Sequence, residues 1–545
     1  MITSTAQRIQ ALTSTGSWGV DTLHSRLAQH ANSRPNELAV KDQPNREQLT
    51  GSSPLSLSWA ELEAASESLA CQLQSQGLTE DDRLLVQLPN VTELVVVYYA
   101  ASKIGVIVSP VPVQYGSHEL RSMAAALGAA GFITMRQFRN SDLAGAAREA
   151  LPEIKAMIFG EDLHIHTTDT GQRCAVVGND ANRVLSICWT SGTTGTPKGV
   201  PRSHNMWFAT ARSSIAAGGY SGDDILLNPF PLVNMAALGG FLFPSALLGC
   251  AIVLHHPLDP PLFLQQMQDE KVSFTIAPPA LLNQLAKSPE LWNKFDFSAL
   301  RRVGSGSAPL SPWMIETFSR DFGKEVVNFY GSNEGISLFS TPENAAEPDV
   351  RAAMFSQPAS DATCTTRVAD PDTGMEVTRK GERGELLICG ATVFDGYLAH
   401  DNSDMFNEDG YFRTGDLVEI CGDNGDYYRI VGRCKDIINR GGMKISPVEL
   451  DVALEQLPDV TEAAVCAYAD ERLGEKICAC LVLAPGADEP TLESLQHMLL
   501  QSGFAKFKLP ERIELFDQLP RNALAKVQRF VLQDIVAQRP QRTPS

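Results

Sequence analysis

Helical and strand-like segments alternate along roughly the first four hundred residues, and that rhythm limits the fold more than any other feature of the chain. "LSWAELEAASESLACQLQSQGL" carries apolar residues at helical spacing and stops at Gly77; "DRLLVQLP" reads as a strand, "VTELVVVYYAASKIG" as a helix and "VIVSPVP" as a strand again. The alternation returns in "FLQQMQDEKVSFTIAPPALLNQLAK" and "WMIETFSRDFGKEVVNFYGSNEG". Strands alternating with helices of this length predict an α/β architecture, a large N-terminal domain of parallel-rich sheets flanked by helices. The stretch from Thr341 to Thr366, richer in Ala, Pro, Ser and Asp, is expected to be irregular surface.

The texture changes after residue 432. A "DNGD" turn at 423–426 predicts a hairpin just before it. "SPVELDVALEQLP" then reads as a capped helix, "VTEAAVCAYAD" and "KICACLVLA" as strands, and "LESLQHMLLQSG" as a helix. About 110 residues suit a small α+β domain. The expected division is therefore 1–432, a junction at 433–436, and 437–545. A chain of 545 residues needs at least two such units.

With a formal net charge of −19, the protein is not expected to bind nucleic acid, and a polyanionic ligand must be met by a local cluster of donors. The apolar run 233–254, "VNMAALGGFLFPSALLGCAIVL", is long enough to span a bilayer, but Asn234, Gly239–Gly240, Pro244 and the following "HHPLDPP" favour a buried helix leading into a strand. No integral membrane segment is expected. The N-terminal "MITSTAQRIQALTSTG" has no apolar core after its charges, so a cytoplasmic protein with reduced thiols is expected. None of the eleven cysteines forms a C-x-x-C pair; Cys478 and Cys480 lie closest and are expected to face opposite sides of a strand as inert core residues.

The chemistry is concentrated in "SICWTSGTTGTPKGVPRSH", residues 186–204, where an apolar strand runs straight into Thr, Ser, Gly and one Lys. Gly192, Gly195 and Gly199 let the backbone approach a ligand. Thr190, Ser191, Thr193 and Thr194 offer hydroxyls, and Lys198 a compact positive charge. The spacing is not that of the common phosphate-binding P-loop, because Lys198 is followed by Gly199. The physics of an anion cradle is the same.

This stretch resembles the signature loop of the adenylate-forming superfamily, which includes acyl- and aryl-CoA synthetases, peptide-synthetase adenylation domains and luciferases. "NFYGSNEG" (328–335), "YFRTGDL" (411–417), "GRCKDIINRGGMKISPVELD" (432–451) and "LPRNALAKVQR" (519–529) follow in that family's order. The resemblance is closest to acyl- or aryl-CoA ligases. It implies a mobile C-terminal domain, and two half-reactions: ATP and a carboxylic acid give an acyl-adenylate, and a thiol then takes the acyl group. It further implies that Lys198 and the hydroxyl loop hold the β- and γ-phosphates, that Glu334 helps bind Mg²⁺, and that Asp416 and Arg433 meet the ribose. Gly306, Ser307, Ala308, Asn328, Tyr330, Gly331, Ser332 and Asn333 would line the nucleotide site, with Asn333 standing where Thr is usual. Lys526 would stabilise charge at the α-phosphate, although Ala525 replaces the usual Gly before it. Lys435 falls at the family's hinge.

For the acid, the resemblance points to Asn234, Met235, Gly239 and Gly304 as pocket residues. Asn234 stands where many acyl-CoA synthetases have His and where aryl-acid ligases of siderophore pathways have Asn; those ligases also carry Ser at the position of Gly239. The small apolar residues around it imply an apolar aromatic, alicyclic or medium-chain acid. For the thiol, Gly442, Met443, Lys444, Phe507 and Lys508 would meet coenzyme A. The alternative acceptor is the pantetheine arm of a carrier protein.

Overall fold

The computed structural model describes residues 1–190, 197–306, 310–358, 363–441, 443–457, 459–470, 472–502, 504–522 and 526–539. The chain forms two compact units, Met1–Thr365 with Ile388–Phe412, and Thr366–Leu387 with Arg413–Ser545. The expected junction at 433–436 lies inside the second of these.

Two sheets organise the first unit. The six-stranded one runs in the order Lys198–Ser203, Val184–Thr190, Ile107–Pro110, Arg83–Gln87, Gly131–Met135, Ala156–Phe159. All its neighbours are parallel except the first pair, which is antiparallel. The eight-stranded sheet has a parallel centre built from Glu325–Gly331, Arg302–Gly306, Phe274–Ile276, Ile225–Asn228, Ala251–Leu254 and Leu38–Lys41, with an antiparallel strand at each edge. This is the parallel-rich α/β arrangement that the alternation of patterns predicts.

The local signals act as their chemistry requires. Ser58 accepts from the backbone N–H of Glu61 while the Glu61 carboxylate accepts from that of Ser58, a capping box that starts the helix Trp59–Ser75. The helix Thr92–Ile104 is buried along its whole length, so its β-branched and aromatic residues pack on all sides rather than along one stripe. Its one acidic residue, Glu93, is matched by Arg46, which also pairs with Asp42; all three are buried.

The run 233–254 is a core element, as its Gly and Pro residues suggest: a turn of helix at Met235–Ala237, a π-helical turn at Leu238–Leu242, a helix at Phe243–Leu248 and the strand Ala251–Leu254. Among the described residues no helix is long and apolar enough to cross a membrane. The expectation of irregular surface at 341–366 is corrected in part. Pro348 opens the helix Pro348–Ala353, which is held down by the buried Arg351 pairing with Glu325 at 2.6 Å, and the strand Met354–Ser356 follows.

In the second unit the predicted hairpin joins Phe412–Cys421 to Tyr427–Arg433, with Cys421 opposite Tyr427. The C-terminal sheet pairs Val460–Asp470 with Gly474–Leu483, which in turn pairs with Arg512–Leu515. Alternation along these strands divides their side chains cleanly. Ala463, Val465, Ala467, Ile477, Ala479 and Leu481 pack with Leu450 and Leu454 of the helix Pro447–Glu455 and with Leu495 and Leu499 of Leu492–Gln501. Ala464, Cys466, Tyr468, Cys478 and Cys480 face the other way, against Leu532 and Val536 of the terminal helix Arg529–Gln538. Cys478 and Cys480 therefore share a face, contrary to expectation, because residues two apart on a strand point the same way. Ser446 precedes the helix Pro447–Glu455 but does not cap it through its side chain; its hydroxyl donates to the carbonyl of Val431 instead.

Candidate active site

Lys198 begins the strand Lys198–Ser203 and lies directly across from Thr190, the last residue of Val184–Thr190. These two residues close the loop whose members Ser191, Gly192, Thr193, Thr194 and Gly195 lie outside the described residues, as do Ser307, Ala308 and Gly442. The strand pair is pinned from below by the indole of Trp189, which donates to Ser109 at 2.8 Å.

A second anchor comes from Asn333. Its side-chain oxygen accepts from the backbone N–H of Met235 at 2.8 Å, and its side-chain nitrogen donates to the carbonyl of Trp189 at 3.2 Å. One amide thus links the strand that enters the loop to the first turn of the expected acid pocket. Asn333, expected among the residues that line the nucleotide site, has its amide engaged in joining these segments.

Glu334, the next residue, is largely buried. The hydroxyl of Tyr397 donates to its Oε1 at 2.9 Å, and Nζ of Lys198 stands 4.8 Å from the centre of the Tyr397 ring. Sequence reasoning identified Lys198 and Glu334 but missed the tyrosine between them. The only local signal was an Asp-Gly-Tyr run at 395–397, which belongs to none of the motifs named above. The backbone here is fixed by close approach. Gly335 has φ of 120°, and a Cβ would stand 2.2 Å from the carbonyl oxygen of Thr392. The Phe394 N–H donates to the carbonyl of Glu334 at 2.9 Å.

Beneath this cluster lies Arg202, also unforeseen, with 0 % of its surface exposed. It donates to the carbonyls of Asn333, Met206 and Thr392 and to the hydroxyl of Thr210, and packs 4.1 Å from the ring centre of Trp207. Burial pushes its guanidinium down to about 9. The carbonyls it collects come from three separate segments, so it fixes the floor on which Asn333 and Glu334 stand.

The expected acid-pocket residues surround the π-helical turn. Asn234 accepts from the Ala237 N–H at 3.3 Å and so caps the turn. The Met235 sulfur lies 3.7 Å from where a Cβ on Gly331 would stand, and Gly240 approaches Ile276. Gly239 abuts Thr210: a Cβ there would meet Cγ2 of Thr210 at 2.6 Å. Gly304 and Gly306 sit on Arg302–Gly306 opposite Val327 and Phe329 of the neighbouring strand. Asn328 is on that neighbour, but its amide is spent on the carbonyls of Arg351 and Ala352, at 3.0 Å each. Tyr330 is half-buried against Phe355, and the Ser332 hydroxyl is buried close by.

In the second unit, Asp416 and Arg433 are cross-strand partners of the hairpin, with Nε of Arg433 2.6 Å from Oδ1 of Asp416. The Asp416 backbone N–H donates to the Thr414 hydroxyl at 3.0 Å. Lys435 is exposed in the turn that follows, closed by the Asp436 N–H donating to the Arg433 carbonyl at 3.1 Å. Lys526 is exposed at the neck of a loop: its N–H donates to the Asn522 side chain at 3.0 Å, its carbonyl accepts from the Asn522 N–H at 2.9 Å, and Arg521 bridges Val527. Of the residues expected to meet coenzyme A, Met443 is exposed, Phe507 packs on the domain core, and Lys508 is held by both oxygens of Glu449 at 2.7 and 2.8 Å.

Comparison with known proteins places these motifs in one family. Residues 27–398 match the model of the AMP-binding enzymes, and residues 449–526 that of the AMP-binding enzyme C-terminal domain. The chain is 29% identical to indoleacetate–CoA ligase of Aromatoleum aromaticum, over 94% of this chain and 98% of that protein. It is 28% identical to medium-chain fatty-acid–CoA ligase of Escherichia coli, over 99% and 94% of the two chains. Among solved structures, ATP-bound MatB from Rhodopseudomonas palustris superposes with a TM-score of 0.80 at 26% identity, covering 95% of this chain and 99% of that one. The chain belongs to the family of AMP-binding enzymes.

Proposed function

We propose that the protein is an acid–thiol ligase that activates an apolar aromatic, alicyclic or medium-chain carboxylic acid with ATP and passes the acyl group to coenzyme A. The observation that carries this reading is the Lys198–Tyr397–Glu334 cluster beside the hydroxyl-rich loop, joined through Asn333 to the buried apolar turn that begins at Met235. In the first half-reaction a carboxylate oxygen of the acid attacks the α-phosphorus of ATP, the bond to the β-phosphate oxygen breaks, and acyl-adenylate and pyrophosphate form. In the second, the thiol sulfur attacks the acyl carbonyl, its proton is lost, and AMP leaves.

Each residue has a task that its chemistry allows. Lys198 and the loop hydroxyls hold the β- and γ-phosphates, and Asp416, steadied by Arg433, accepts from the ribose hydroxyls. Glu334 offers the hard oxygen donor that suits Mg²⁺, an ion that keeps water and phosphate oxygens as its other ligands and would offset the charge of the triphosphate. Tyr397 sets the orientation of that carboxylate. Lys526 stabilises the negative charge that gathers between the attacking carboxylate and the α-phosphate. We further propose that the segment 437–545 turns about a hinge at 433–436, with Lys435 at its centre, to withdraw Lys526 before thiolysis.

The second reading keeps the same adenylation and gives the acyl group to a carrier-protein pantetheine. Asn234, the residue of aryl-acid ligases at this place, supports it, as does the likeness to salicyl-AMP ligase / salicyl-S-ArCP synthetase of Mycobacterium tuberculosis, at 29% identity. A panel of carboxylic acids read by pyrophosphate release, with and without free coenzyme A, separates the two. The proposal requires acid-dependent turnover with formation of acyl-CoA and AMP. Pyrophosphate exchange without coenzyme A turnover favours the carrier, and no acid-dependent exchange contradicts both.

A further inference from the structure

The C-terminal sheet holds three cysteines that the adenylation chemistry does not use. Cys466 and Cys478 are directly opposite each other on the paired strands Val460–Asp470 and Gly474–Leu483, and Cys480 lies two residues beyond Cys478 on the same face. Their sulfur atoms all lie within 4.8 Å of one another, and those of Cys466 and Cys480 are 3.9 Å apart. All three residues are buried, at 1 %, 0 % and 0 % exposure. Sulfurs around a metal at a bond length of about 2.3 Å in a trigonal plane stand about 4.0 Å apart, so the Cys466–Cys480 separation already matches a three-thiolate site and the third sulfur lies within 4.8 Å of both.

From this geometry we infer that Cys466, Cys478 and Cys480 form a binding site for a soft d¹⁰ cation, Cu(I) or Zn(II), held by three thiolates. The surroundings fit such an ion. Leu519, Leu532 and Val536 pack over the face that carries the sulfurs, an apolar cover that suits a soft ion. Arg512 and Arg529 lie close enough to add positive potential there. On binding, each S–H bond is replaced by a sulfur–metal bond and its proton leaves to solvent; no electron changes hands. Zn(II) leaves the smaller net charge in the core, whereas Cu(I) is satisfied by three ligands.

The site has a structural consequence. Arg529, the first residue of the terminal helix, pairs with Asp451 and donates to the carbonyl of Val465 at 2.7 Å, next to Cys466. That helix both covers the sulfurs and follows directly on the Lys526 loop. An ion under it ties the base of the loop to the sheet.

The test uses the full chain, purified under reductant and loaded anaerobically with Cu(I) alone or Zn(II) alone, then desalted against a competing chelator. One equivalent of one of these metals is expected to remain. It is expected to disappear in Cys466→Ala and in Cys480→Ala and to persist in Cys71→Ala, with acid-dependent pyrophosphate exchange intact in all three as the check on folding. Should the core variants fail to fold, X-ray absorption of the loaded wild-type protein decides: three sulfur neighbours at about 2.3 Å are expected. Retention of neither metal, retention unchanged in the folded Cys466 and Cys480 variants, or a first shell dominated by nitrogen or oxygen would overturn the assignment.

Discussion

The hydroxyl of Tyr397 donates to Oε1 of Glu334 at 2.9 Å, and the same ring carries Lys198 above it at 4.8 Å. A single tyrosine therefore sets the spacing between the proposed phosphate-binding cation and the proposed metal-binding carboxylate. Tyr397→Phe keeps the ring under Lys198 and removes the bond to Glu334. By analogy with the partners that orient metal ligands, acid-dependent pyrophosphate exchange is expected to fall by about 10–100-fold, with a higher Mg²⁺ requirement. A magnesium titration of the variant checks both. An unchanged rate and magnesium dependence would show that Glu334 needs no such support.

Asn333 ties Met235 to Trp189, so restoring the residue usual in the family has a cost here. Asn333→Thr shortens the side chain and leaves the Met235 N–H and the Trp189 carbonyl without this partner. Each buried group left unpaired costs about 1–3 kcal/mol. Chemical denaturation is expected to show a loss of that order, accompanied by a raised KM for the acid, because the mouth of its pocket is released.

Gly239 and Thr210 share one small volume. Gly239→Ser places a Cβ 2.6 Å from Cγ2 of Thr210. Overpacking of this kind costs about 1–3 kcal/mol, and acid-dependent exchange is expected to drop. Adding Thr210→Ser removes the offending methyl while keeping the hydroxyl that Arg202 uses. Exchange is expected to recover in the double variant; failure to recover would mean that the pocket tolerates no side chain at 239 for another reason.

How far these sites could be read from the sequence depends on the kind of contact. The alternation of helix and strand patterns reports burial on a fixed period, and it located the parallel sheets and the terminal sheet, while the "DNGD" turn located the hairpin after Phe412. Lys198, Glu334 and Asp416 were expected at the site because short motifs keep them in a recognisable order. Tyr397 and Arg202 were not, because their partners are 63 and 131 residues away in the chain, in the bonds to Glu334 and to the Asn333 carbonyl. The helix Pro348–Ala353 escaped for a related reason: what holds it is Arg351 reaching Glu325, not its own propensity. The cysteine cluster is a fourth case. Cys466 meets Cys478 and Cys480 only once the register of the two strands is set.

Acid should weaken the first unit through its buried histidines. Burial pushes His24 and His256 from 6.5 down to about 4, and His204 to about 3. The His204 Nδ1 accepts from the Leu23 N–H at 3.1 Å, a bond that the protonated ring cannot make. The folded pKa lies below the unfolded one for each group. Between about pH 6.5 and 4 the unfolded chain therefore binds more protons, and stability falls as pH falls. Each such group contributes up to about 1.4 kcal/mol per pH unit in that window. Denaturation midpoints at pH 7 and pH 5 should show the decline, and His24→Gln should make it shallower. An equal slope in the variant would mean that other groups govern acid unfolding.

The most direct test of the account is to separate the two half-reactions at Lys526. In Lys526→Ala, carboxylate-dependent exchange of pyrophosphate into ATP is expected to vanish, while coenzyme A still consumes added acyl-adenylate at close to the wild-type rate. Equal loss of both activities, or exchange that survives the substitution, would contradict it.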